Sequence, residues 1–307
     1  MTKYYQTFAV AALLCLSLVS TSCSEEDNPA ESEGYKITVT VNTADMYEQL
    51  GLADELTASL ANEPDEEYGV GVSLYLYDAS GNLVDSKDGE GIRHDLQPIK
   101  VEMDELENGL YKLLVVQNVT YEGEEGLYLD IEKEDKFDTF EMWNRYMCEV
   151  PATFAFGYKV VMLTINDGDA EVTVTPDPAG SVVEFSLEGL DKTDYGDIFL
   201  MTENVPACIA PDDKPEELDI VSRYRTFFGG PNGEVAHIDL TREHGNTVKE
   251  KFFIMNMAGK IQFQITGMNA VVDNEVIAEG ELDVKLGGQN AVGYDWNTNT
   301  AYWGAPQ

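Results

Sequence analysis

Basic residues are scarce in this chain of 307 residues: 19 Lys and Arg stand against 57 Asp and Glu, a formal net charge of −38. A field of that sign repels nucleic acid and anionic lipid and keeps an exposed protein soluble, so the chain is not built to bind nucleic acid. Histidine is scarcer still, with only His94, His237 and His244. His237 and His244 lack the i, i+4 spacing of a helical zinc pair and read as loop residues. No Gly-x-Ser-x-Gly elbow and no glycine-rich phosphate loop occurs, so hydrolase and nucleotide chemistry have no visible machinery. Carboxylates are so abundant that no pair stands out as an acid–base dyad. These absences predict no enzyme, no cofactor and no resident metal. Asp167, Asp169, Asp212 and Asp213 could contribute to a calcium site, but the alternating Asp ladder of a calcium loop is missing.

Long apolar runs are also missing after the first twenty residues. The N-terminus has one charge, Lys3, then a mostly apolar stretch from Phe8 to Val19, short of the ~20 apolar residues that span a bilayer. Ser20, Thr21 and Ser22 are small and precede Cys23. A basic start, a short apolar stretch and small residues before a cut site make a secretory signal. The cysteine directly after the cut makes it a lipoprotein signal, because the thiol accepts the diacylglycerol. Residues 1–22 are therefore expected to leave, with Cys23 lipidated as the new N-terminus. Only Lys3 is lost with them, so the mature charge is 18 − 57 = −39. Residues 23–34 hold no apolar side chain larger than Ala30 and form a flexible acidic tether. The cluster Ser24-Glu25-Glu26-Asp27 resembles the surface-export signal of Bacteroidetes lipoproteins, which implies a lipid-anchored, surface-exposed place in the outer membrane.

Cysteine is sparse, at four residues. Cys15 leaves with the signal and Cys23 carries lipid, so Cys148 and Cys208 remain, either as a disulfide or as two separate thiols.

What the rest of the chain does contain is alternation. Ile37, Val39 and Val41 alternate, as do Val70, Val72, Leu74 and Leu76, and the cluster Asp78 to Asn82 supplies a hairpin turn. Further strands are expected over Leu110–Val116 and Phe154–Ile165. A second set is expected to open at Glu171–Thr175 and continue through Ser181–Leu187, Ile198–Met201, Phe252–Met255, Lys260–Thr266, Glu275–Leu286 and Ala291–Trp296. Pro206–Asp219 reads as a loop. Two helical insertions are expected: Asp45 and Glu48 as a capping box opening a helix to about Leu60, with Met46, Leu50 and Leu56 inward, and Asp138-Thr139 capping a helix with Phe140, Trp143 and Met147. The pattern is an all-β protein of two tandem sandwich domains, residues 35–167 and 168–307, with short helical insertions.

Aromatic residues gather near the C-terminus. Tyr294 and Trp296 fit a final strand, whereas Trp296, Tyr302 and Trp303 together are candidate ligand contacts, since exposed rings can stack on sugars.

The hairpin VSLYLYDASGNLV, the following ENGLYKLLVVQN and the junction LTINDGDAEVTVTPDPAGSVVEFSLEGL resemble the fimbrillin-like superfamily of Bacteroidetes, especially its lipoprotein anchor and minor subunits. The resemblance runs from about Tyr35 to Trp296. It implies transthyretin-like, Greek-key sandwiches whose subunits join by strand complementation, main-chain hydrogen bonds giving the affinity. The strand bearing Tyr35, Ile37, Val39 and Val41 would take that part. Stalk subunits of this family lose such a strand to cleavage after a basic residue, and no Lys or Arg lies between Cys23 and Lys36. The implied role is a fimbrial anchor or assembly terminator in adhesion. Its partners would be outer-membrane lipid through Cys23, other fimbrial subunits, and host or microbial surface glycans or proteins. The competing expectation is a glycan-binding lipoprotein of a polysaccharide-uptake system.

Overall fold

The computed structural model describes residues 34–62, 68–89, 95–121, 129–144, 150–203, 205–206, 208–213, 233–240, 245–255, 259–269 and 275–304. Cys23, His94, Met147, Cys148 and His244 lie outside them. In chain order the elements are β1 (Tyr35–Val41), α1 (Ala44–Gln49), α2 (Ala53–Asn62), β2 (Tyr68–Tyr77), β3 (Leu83–Asp88), β4 (Ile99–Leu106), β5 (Gly109–Tyr121), β6 (Leu129–Glu132), β7 (Glu141–Asn144), β8 (Gly157–Ile165) and β9 (Ala170–Val174). There follow β10 (Asp177–Pro178), β11 (Gly180–Glu188), β12 (Asp197–Glu203), β13 (Cys208–Ile209), β14 (Gly233–Asp239), β15 (Thr247–Met255), β16 (Gly259–Met268), β17 (Glu275–Val284), β18 (Gln289–Asp295) and β19 (Thr300–Gly304).

The first sandwich packs the sheet β4-β1-β9 on the sheet β10-β8-β5-β2-β3. Alternate residues of each inner face meet there, including Ile37, Val39 and Val41 with Val72, Leu74, Leu113 and Val115. The second face of the five-stranded sheet is covered as well. Met46, Leu50, Leu56, Phe140 and Met142 pack against its Tyr75, Tyr77, Leu114 and Val116. A sheet buried on both faces needs an unbroken apolar run instead of alternation. That is why Leu113, Leu114, Val115 and Val116 are all inside. The hairpin between β2 and β3 closes as its sequence predicts: Asp78 Oδ1 accepts the backbone N–H of Ser80 (2.8 Å) and of Asn82 (2.9 Å), and Gly81 takes φ +81°. Those bonds, from Asn82 above all, hold the Asp78 carboxyl below its usual range.

The second sandwich packs β15-β11-β18-β19 on β14-β12-β16-β17 around Phe185, Leu187, Ile198, Phe263 and Ile265. Val182, Ile209, Phe253 and Met255 turn instead into the core formed by the helices of the first half. Phe253 meets Phe156 edge-on at 5.4 Å and its N–H donates to Val150 O at 2.8 Å.

Four expectations change. The strand expected to open the second set, β9, pairs in parallel with β1 and completes the first sheet. Local alternation encodes strandness but not the distant partner. The capping box does not form: Thr43 stands at the N-cap but its hydroxyl donates to Gln97 O instead of capping the helix, Asp45 accepts from Thr175 Oγ1, and the helix breaks at Gly51 (φ +68°) into α1 and α2. Met46, Leu50 and Leu56 are nonetheless buried as expected. Asp138-Thr139 end a single 3-10 turn (Phe137–Thr139), and Trp143 lies on β7, paired on both edges by β6 and β13. Pairing on two sides overrides the helical spacing of the apolar residues. The segment read as a loop from Pro206 contributes the two residues of β13. Tyr302 and Trp303, the candidate ligand contacts, lie on β19.

Candidate functional site

The strand singled out for subunit contact, β1, is the middle strand of its sheet. It runs antiparallel to β4, with Val39 opposite Val101 and Val41 opposite Ile99, and parallel to β9, from Ile37 opposite Ala170 to Val41 opposite Val174. Ile37, Val39 and Val41 are fully buried, and Tyr35 packs half-buried on the same core. Burying three aliphatic side chains contributes ~1.5–3 kcal/mol each. Lys36, Thr38 and Thr40 face outward.

The N-terminal end of β1 is tied down on both sides. The Lys36 N–H donates to Asp169 Oδ1 (2.9 Å), and Lys36 Nζ reaches Glu102 Oε2 (3.2 Å). The hydrogen bond to Glu102, then its charge, raises the Lys36 pKa above its ordinary value. Gly34 lies so close to the Glu105 backbone that a Cβ would come within 2.4 Å of it. Asn108 and Asp167 bond reciprocally, each contact at 2.7 Å. Asp213 Oδ2 accepts the Ala210 N–H at 2.6 Å. Asp167, Asp169 and Asp213, weighed above as calcium ligands, thus serve loop hydrogen bonds.

The C-terminal aromatic residues do not share one platform. β19 pairs with β18, Val292 opposite Trp303 and Gly293 opposite Tyr302, so the last two rings take opposite faces. Trp303 packs inward on the second core, near-parallel to Phe263 at 6.5 Å, over Gly280, where a Cβ would lie 2.2 Å from the ring. Tyr302 lies over Gly293 on the outer face, beside Ser186, Glu184, Glu188 and Lys249. Burial pushes its hydroxyl up, against the opposing hydrogen bond with Ser186. Trp296 follows β18 in the turn and meets Tyr294 edge-on at 4.9 Å.

One arrangement had no precedent in the sequence reading. His237, expected in a loop, sits on β14, stacked on Phe199 of β12 at 4.6 Å and 8°, with Nε2 2.8 Å from Asp197 Oδ1. The signal was available: Ala236 and Ile238 alternate with His237 and Asp239, a strand pattern hidden by its short length.

Residues 25–146 match the family model described as fimbrillin-A associated anchor proteins Mfa1 and Mfa2. No curated protein matches the chain by sequence. Among solved structures, a protein described as a putative polysaccharide binding protein from Bacteroides thetaiotaomicron aligns with a TM-score of 0.52 at 10% identity, covering 85% of this chain and 91% of that one. A putative adhesin from the same species gives 0.51 at 10% identity, covering 88% and 93%. The fimbrial anchor protein Mfa2 from Porphyromonas gingivalis gives 0.50 at 10% identity, covering 87% and 95%. At such identities these likenesses speak for the fold. The N-terminal part of the chain thus carries the sequence pattern of the fimbrillin-A associated anchor proteins, and the described residues have a fold shared with a fimbrial anchor of that kind.

Proposed function

We propose that this chain is a surface-exposed, lipid-anchored fimbrial subunit, in an anchor or assembly-terminating position with a role in adhesion. Cys23 would hold it to the outer membrane, and residues 23–34 would be the leash. The observation that carries the reading is β1. A subunit that joins a stalk by strand complementation must vacate a groove, whereas here Ile37, Val39 and Val41 fill theirs from within. No basic residue in the leash offers a cut that would free them. The family match begins two positions after the lipid cysteine, which fits a leash and body inherited together. The two sandwiches, residues 35–167 and 168–307, stay part of this reading, with β9 lent by the second half to the first.

The test is metabolic labelling with palmitate, followed by crosslinking on intact cells. The expected result is label on the chain that Cys23→Ser abolishes, with fimbrial subunits crosslinked to the labelled protein. Label independent of Cys23, or no fimbrial subunit captured, would overturn it.

A second reading is glycan binding, favoured by the Tyr302 ring reaching over Gly293 among Glu184, Glu188 and Lys249. Tyr302→Ala should then abolish retention on a glycan panel, together with Trp296→Ala and Trp303→Ala if the rings act jointly. Retention of none of the panel by the parent chain would end that reading.

A further inference from the structure

Any pull transmitted through the leash enters the folded body at β1, because β1 is the first described strand after residues 23–33. We propose that β1 is a force-bearing clamp: tension between the leash and the C-terminal half runs along the β1 axis and loads its two hydrogen-bond ladders together. The physiological direction of that pull rests on the lipid-anchor reading above, but the mechanical asymmetry belongs to the fold.

Three observations carry it. The first is direction. β1 and β9 are parallel, so their N-terminal ends share the leash side, and the C-terminal end of β9 continues through β10 into β11 at Gly180. The chain therefore leaves for the second half at the far end of β1. The same end is closed by the Asn42 N–H to Val174 O (2.9 Å) and by Asn42 Nδ2 to Thr175 Oγ1 (3.2 Å). β11 leaves the shared core at Val182 and runs onward to Glu188, with β18 parallel to it as far as Asp295. Load from the C-terminal half therefore reaches β9 at the end opposite Gly34, and a line between those two ends follows β1.

The second observation is pairing. β1 has a partner on each edge, β4 and β9. A pull along the axis must slide it past both, straining many bonds at once, whereas a pull across the sheet opens them in succession. Sliding by one residue would also turn Ile37, Val39 and Val41 out of the core.

The third is the cross-tying of the loaded end. Lys36 is bonded through its N–H to Asp169 and through its ammonium to Glu102, one tie to each side. Gly34 abuts Glu105, where β1 and β4 shift register. An end pinned on both sides cannot peel from either edge first.

Single-molecule pulling on the full chain tests this with handles on introduced azido side chains. One pair places them at Glu33 and at exposed Asp177, just past the C-terminal end of β9, for an axial pull. The other places them at Glu33 and Gly168, on the turn beside the N-terminal end of β9, for a peeling pull. A Cβ at Gly168 would meet no atom within 4 Å, which leaves room for the second handle. At one loading rate, the first rupture in the axial geometry should need at least about twofold the force of the peeling geometry, as bonds loaded together resist more than bonds loaded in turn. Equal forces in the two geometries, or a weaker axial rupture, would overturn the clamp. Failure of palmitate labelling would remove the anchor reading and leave this comparison standing, so the two ideas fail separately.

Discussion

The two sandwiches use the same device at opposite ends of the chain and finish it differently. Each contains one parallel pair inside an otherwise antiparallel sheet: β1 with β9 in the first half, β11 with β18 in the second. In the first, the chain's opening strand is the inserted element, flanked on both edges, with aliphatic side chains that are wholly buried. In the second, the last strand, β19, sits on an edge and contributes rings that are half-exposed. A central aliphatic strand is a fixture, since removing it opens a long apolar groove. An aromatic edge strand is a cover, holding by ring contact over Gly280 and Gly293 with little main-chain pairing beyond β18.

This contrast has graded consequences. Val39→Asp should prevent folding, because an unpaired carboxylate at that depth costs ~4 kcal/mol or more; urea unfolding followed by circular dichroism would show it, and a native-like midpoint would contradict the description of β1. Trp303→Ala in β19 should cost less, ~2 kcal/mol, since its ring is partly exposed and its site can relax. Gly280→Leu should cost ~1–3 kcal/mol by driving that ring off the sheet. If Trp303→Ala proved the more damaging of the strand substitutions, cover and fixture would have to exchange places.

Alkaline pH compares the halves in another way. Burial, with Asp213 nearby, pushes Tyr158 of β8 from 10.0 up to about 12. Burial and the 2.7 Å hydrogen bond to Glu275 do the same for Tyr195 before β12, also to about 12. In both cases the folded pKa lies above the unfolded one. Their contribution is therefore fully present below pH 10 and is lost as pH rises from 10 towards about 12. Tyrosinate absorbance during alkaline unfolding should show delayed ionisation, reduced by Tyr158→Phe and by Tyr195→Phe separately. The smallest expected effect is at Lys36. Lys36→Met removes an exposed ion pair and should leave the urea midpoint unchanged within error.

Much of the fold was legible because one-sided burial writes itself as alternation. The β2–β3 hairpin, with Asp78 and Gly81 placed for its turn, and strands β11, β16 and β18 came directly from that signal. β9 shows the limit: Val172 and Val174 announce a strand, but a parallel partner 133 positions away, as Lys36 and Asp169 are, leaves no local mark. The helical spacing of Phe140, Trp143 and Met147 misled for a related reason, as β7 is fixed by neighbours on both edges. Of the candidate site, the inward residues of β1 were readable from their period. The division of Tyr302 and Trp303 between two faces required knowing that they form a strand, and the stack of His237 on Phe199 required the pairing of β14 with β12.

The short strand β13 carries a consequence for how the molecule comes into being. Its Cys208 and Ile209 pair with Trp143 and Met142 of β7, just as residues 170–174 of β9 complete the sheet around β1. A chain is made N-terminus first, so these early strands wait with open edges until more than sixty later residues have been added, as 209 − 142 = 67. Such edges invite pairing with other chains. Synthesis thus presents an interval in which the newborn chain is most exposed to misassembly, and it ends only when the distal half arrives to close the proximal one.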